Sequence, residues 1–70
     1  MTTTITGAFS SMDTIRNTME DLIASGIDRE KIYADDEHTE LKVMIPDAIE
    51  REVTEIMQRH QPIEMASYHR

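Results

Sequence analysis

The residues of this chain that could carry chemistry are its histidines, its crowded carboxylates and two adjacent serines. Asp35, Asp36, Glu37, His38 and Glu40 place four carboxylates and an imidazole within six positions, enough oxygen and nitrogen donors for a hard or borderline cation. Their spacing matches neither a calcium-binding EF-hand loop nor a His-Glu-x-x-His zinc motif, so a solvated turn is the plainer expectation for the segment. His60 falls on an apolar stripe near the end of an expected helix, where an imidazole can offset the helix dipole and bond a terminal carbonyl. His69, close to the last residue, is expected to be mobile, and a site shared by His60, His69 and a carboxylate requires the chain end to fold back beside that helix. Ser10 and Ser11 have no histidine close in sequence, and helix capping is a sufficient job for them. With no cysteine in the chain, disulfides, thiolate metal sites and thiol nucleophiles are excluded. The residues therefore point to no catalytic site and no cofactor. Asp35, Asp36, His38 and His60 are the only metal candidates, and they form no known motif.

The elements that position these residues follow from periodicity. Thr2 to Phe9 alternates, with Ile5, Gly7 and Phe9 on one side and Thr4, Thr6 and Ala8 on the other, the pattern of a strand. Ser10 or Ser11 then caps a helix, Ser10 with Asp13 making a weak capping box. Met12, Ile15, Met19, Leu22, Ile23 and, at the margin, Ala24 form its apolar stripe, and Gly26 ends it where a left-handed residue is wanted. Ile32 and Ala34 share a strand face opposite Tyr33. Leu41, Val43 and Ile45 alternate with Lys42 and Met44, so the polar run between the two segments reads as a hairpin connection. Pro46 stops that strand, and Asp47 with Glu50 has capping-box spacing for a second helix whose inner stripe is Ile49, Val53, Ile56, Met57 and His60. Pro62 breaks the pattern, and Ile63 to Tyr68 alternates as a last strand.

Strand, helix, strand, twice over, predicts a single α+β domain across residues 1–70: a ferredoxin-like βαββαβ sandwich. Right-handed crossovers put both helices on one face of a four-stranded antiparallel sheet. The open face then presents Thr6, Ala8, Tyr33, Lys42, Met44, Ala66 and Tyr68. Lys42 alone is charged, and an apolar face of this kind marks an interface, with Ala8, Tyr33, Met44, Ala66 and Tyr68 as its contact residues.

Four stretches resemble a small bacterial general-stress-protein module. They are Gly7-Ala8-Phe9-Ser10, Ala24-Ser25-Gly26-Ile27, Leu41-Lys42-Val43-Met44-Ile45-Pro46, and Ile56-Met57-Gln58-Arg59-His60-Gln61-Pro62-Ile63. Members read as a strand with Gly-x-Phe, a helix closing on Ala-Gly-Ile or Ala-Gly-Phe, and a last helix ending in His-x-Pro or His-Gly. The resemblance covers nearly the whole chain. It implies the ferredoxin-like fold and brings no enzymatic activity with it. The architecture also resembles regulatory ACT domains, which bind amino acids at subunit interfaces, and that likeness implies a small-ligand or metal sensor as the alternative function.

Composition narrows the partners. Seven Lys and Arg against 14 Asp and Glu leave a net charge of −7, the wrong field for phosphate backbones or an anionic membrane. Two tyrosines on a sheet could stack RNA bases, but the acidic surface opposes it. The loop after the first strand lacks the Arg of acylphosphatases and the Cys-x-x-Cys of heavy-metal carriers of this topology. No apolar run approaches the roughly 20 residues a membrane span needs, and the start of the chain is unlike a secretory signal. The expectation is a cytoplasmic, non-enzymatic interaction or regulatory module, a homo-oligomer or the binder of a protein partner, with no small ligand identified.

Overall fold

The computed structural model describes residues 1–70. Strands β1 (Thr2–Ala8), β2 (Ile32–Asp35), β3 (Glu40–Pro46) and β4 (Glu64–His69) form one antiparallel sheet in the order β2-β3-β1-β4. Helices α1 (Met12–Ala24) and α2 (Glu50–Gln58) connect β1 to β2 and β3 to β4, with short 3-10 turns at Arg29–Lys31 and Asp47–Ile49. This is the ferredoxin-like α+β fold. Each of the two βαβ crossovers skips one strand position, so β3 lies between β1 and β2 and β1 lies between β3 and β4.

Both helices cover the same sheet face. Ile5, Ile32, Leu41, Val43 and Ile45 from the strands meet Ile15, Leu22, Val53, Ile56 and Met57 from the helices in one buried cluster, closed at one end by Phe9. Gly7 has a packing role in that cluster. A Cβ there would stand 2.9 Å from Phe9 Cε1 and 3.0 Å from Met57 Cε, so the missing side chain is the space the Phe9 ring occupies. A ring folded over a strand glycine two residues back shields the backbone that the glycine leaves bare.

The helix ends show which local signals won. Ser11, not Ser10, is the cap of α1: its Oγ accepts the Thr14 N–H at 3.2 Å. At the other end Ile27 N bonds Leu22 O and Gly26 N bonds Ile23 O, both at 3.0 Å, with Gly26 at φ +100°. That is a Schellman closure, and Ile27 packs back against the core as the motif requires. The α1 stripe is rotated from the expected one. Ile23 is 38% exposed and Ala24 is at the surface, while Thr18 is fully buried because its Oγ1 donates to Thr14 O at 2.7 Å. A threonine that satisfies its own hydroxyl along the helix can occupy a core position.

Asp47 departs further from expectation. It makes no cap bond, and α2 begins only after the 3-10 turn. Its carboxylate instead accepts the hydroxyl of buried Thr3 at 2.6 Å, tying the start of β1 to the approach to α2. Ile63, placed by alternation in the last strand, precedes β4 and stays 72% exposed.

Candidate functional site

The uncovered face of the sheet is where the sequence-predicted contact residues come together. Register fixes their neighbours. Thr4 of β1 faces Met44 on one side and Tyr68 on the other; Thr6 faces Lys42 and Ala66; Tyr33 lies opposite Lys42. Successive cross-strand rows therefore read Tyr68–Thr4–Met44 and Ala66–Thr6–Lys42–Tyr33, with threonine on the central strand because a β-branched residue suits a pleated surface without demanding burial. Tyr33 is 51% exposed and Tyr68 65% exposed, so both tyrosines of the chain stand out from the same face. Its one phenylalanine is in the core.

The next row toward the β2–β3 hairpin is Glu64–Ala8–Glu40–Asp35, which puts Ala8 between two glutamates. They line an open hollow with Thr6, Met65 and Ala66. At the opposite end, Arg70 shares a second hollow with Thr2, Thr4, Met44 and Tyr68. Glu64 and Arg70 are not singled out by the sequence, and Glu40 is read there only as part of the acidic turn. The parity of Glu64 and Arg70 with Ala66 and Tyr68 was the available signal, but the register that aligns them with β1 and β3 comes only from folding.

Each histidine meets a carboxylate, in three separate places. In the hairpin, His38 Nδ1 lies 2.9 Å from Asp35 Oδ2, while Asp35 Oδ1 accepts the backbone N–H groups of Glu37 and His38 at 3.0 and 3.3 Å. The imidazole hydrogen bond holds the Asp35 carboxyl below its ordinary 3.8, and the same bond raises His38 above its ordinary 6.5. Asp35 is thus an Asx-type turn residue whose oxygens are already engaged. His60 Nε2 stands 3.0 Å from Asp21 Oδ2 and joins the end of α2 to α1 by a side chain rather than by bonding a helix carbonyl. His69, expected to be mobile, belongs to β4, with Nε2 2.7 Å from Glu50 Oε1; that hydrogen bond raises its pKa.

The fold does not gather the metal candidates. Asp35 and His38 meet each other, Asp36 is an exposed turn residue, and His60 is engaged by Asp21. No three His, Asp or Glu side chains are arranged to hold one ion. Ser11 is engaged as a helix cap, accepting from Thr14 N and lying 3.0 Å from its hydroxyl. No helix is long and apolar enough to cross a membrane. Comparison of the chain with protein-family models, with curated proteins and with solved structures finds no match in any of the three.

Proposed function

We propose that this chain is a non-enzymatic interaction module that self-associates or binds a protein partner through the open face of its sheet. One observation carries the reading: Tyr33 and Tyr68, both of the chain's tyrosines, are more than half exposed on that one face, Tyr68 in a row with Thr4 and Met44 and Tyr33 in a row with Lys42, Thr6 and Ala66. Tyrosine supplies contact area with few torsions to freeze and a polar tip that tolerates water before the partner arrives. A cytoplasmic setting and kinship with the bacterial stress-protein module belong to the same proposal. Gly7, Phe9, Gly26 and Ile27, which carry that resemblance, build the core and a helix end rather than the open face, so kinship through them bears on fold before function.

Sedimentation velocity on the wild type and on Tyr33→Asp and Tyr68→Asp tests the proposal. A charge at either position is expected to lower the assembled fraction, or the retention of a bound protein, while leaving the far-UV spectrum unchanged. Association that survives both substitutions overturns it. The alternative, a metal or small-ligand sensor, requires a second subunit to complete the ligand set that Asp35 and His38 begin. Calorimetric titration with zinc or calcium chloride reads that directly, since assembly alone releases no heat of metal binding.

A further inference from the structure

The open face has a charge polarity along its strands. At the hairpin end stand Glu40 and Glu64, with Asp35 in the same row. At the other end Arg70 lines one hollow with Tyr68 and Met44, and Lys31 lines another with Thr2, Met44 and Pro46. None of Glu40, Glu64, Lys31 and Arg70 makes an ion pair within the chain, whereas Arg16, Arg51 and all three histidines do. An acidic pole, in which only Asp35 is paired, and an unpaired basic pole are separated by the rows Ala66–Thr6–Lys42–Tyr33 and Tyr68–Thr4–Met44.

Resting on the proposed self-association, we infer that the occupant of this face is a second copy of the chain, related by a two-fold axis that lies between the two sheets, parallel to them and running across the strands. Two copies stacked face to face can be related by an axis along the strands or across them. The first sets acidic pole on acidic pole; the second sets each acidic pole on the partner's basic one. The axis across the strands also leaves each strand over its own counterpart, within the roughly 30° that sheet twist imposes. Glu64, at the start of β4, then meets Arg70 of the other copy just past its β4, and Glu40 meets Lys31 beside the end of β3. Both pairs occur twice, because an isologous contact repeats every interaction.

The size of the face sets the strength. Four strands of up to seven residues give a footprint of roughly 19 by 23 Å, on the order of 450 Å² per copy. That falls below the roughly 800 Å² per partner of a stable complex, so the dimer is weak and concentration-dependent.

Two charge-reversed forms of the full chain test the orientation: Glu40→Lys with Glu64→Lys, and Lys31→Glu with Arg70→Glu. Sedimentation equilibrium from about 10 μM to 1 mM brackets a dimer of this class. Each reversed form alone is expected to dimerise about tenfold more weakly than wild type, since both junctions turn repulsive. An equimolar mixture of the two recovers a heterodimer, and salt weakens the wild-type dimer. Stronger dimerisation of the glutamate-to-lysine form, or of wild type in high salt, overturns the orientation in favour of the axis along the strands. If Tyr33→Asp dissociates the dimer but charge reversal and mixing change nothing, the head-to-tail inference fails and the sheet-face reading stands. A wild type that stays monomeric at about 1 mM overturns the second copy as occupant and leaves a different protein as the partner to seek. If association persists in both tyrosine variants, the sheet-face reading itself fails.

Discussion

Gly7→Ala should be among the more damaging one-atom additions this chain can suffer, and its cost can be worked from the packing. The new Cβ would lie 2.9 Å from Phe9 Cε1, 3.0 Å from Met57 Cε and 3.4 Å from Phe9 Cζ. Carbon atoms pack best at about 3.5–4.0 Å, so the ring must retreat by roughly 0.6 Å or more. Phe9 is 3% exposed and Met57 fully buried, so neither has free space behind it. Overpacking of this kind costs about 1–3 kcal/mol. Against it stands a gain of about 0.4–1 kcal/mol, because alanine has less unfolded-state freedom to lose than glycine. Gly7 is outside the left-handed region, so no backbone strain adds to the balance. The midpoints of the two ranges leave a net loss of about 1.3 kcal/mol, from a total of about 4–10 for a chain of this length. Thermal unfolding followed by circular dichroism should show Tm lowered by about 5–10 °C. The same substitution in a Phe9→Leu background should cost less, because the ring it collides with is gone. An unchanged Tm, or an equal loss in both backgrounds, would refute the account of Gly7 as the seat of the Phe9 ring.

Asp47→Ala removes the acceptor of the buried Thr3 hydroxyl and should cost about 1–3 kcal/mol in urea unfolding; adding Thr3→Val should recover part of that, and equal losses in the single and double variants would show that the bond is not the cause. Thr39, a β-branched residue at φ +51° in the β2–β3 hairpin, is strained there, and Thr39→Asn should raise stability by up to about 1 kcal/mol in the same assay, where a loss would count against strain. pH acts through the imidazole pairs. His38 and His69 have folded pKa values raised above 6.5, so their contribution is complete below that value and disappears as pH rises through the raised ones. Asp35, lowered from 3.8, contributes above its ordinary pKa and fails only as pH falls through its lowered one. Denaturation midpoints should therefore be highest near pH 5 to 6 and fall toward pH 8, and His38→Gln with His69→Gln should flatten that fall; an undiminished slope in the double variant would place its origin elsewhere.

What was legible in the sequence was whatever depends on neighbours a few positions apart. Alternation marked Ile5 and Gly7, Leu41, Val43 and Ile45, and the exposed line of Ala66 and Tyr68, because a strand sends successive side chains to opposite faces whatever lies beside it. Gly26 announced the end of α1 for the same local reason: only a residue free of Cβ strain closes a helix there at φ +100°. The order of elements then left few ways to bury both helices and connect the strands, and the ferredoxin-like sheet is among them.

The tertiary structure decided what depends on distance across the chain. Asp47 had the spacing of a helix cap, yet Thr3, 44 positions away, needed an acceptor for a hydroxyl it buries, and the cost of an unpaired buried hydroxyl outweighs that of an uncapped exposed turn. Thr18 holds a core position that Ile23 does not, with its hydroxyl satisfied on Thr14 O of the same helix. His60 and His69 found Asp21 and Glu50, 39 and 19 positions away, in places no spacing rule marks. The polarity of the open face is of the same kind. Glu64 and Glu40 flank Ala8, and Arg70 closes the other end, only because β4 and β3 dock in one register on β1. Composition set the chain's net charge, and register set where on the sheet its unpaired ends would lie.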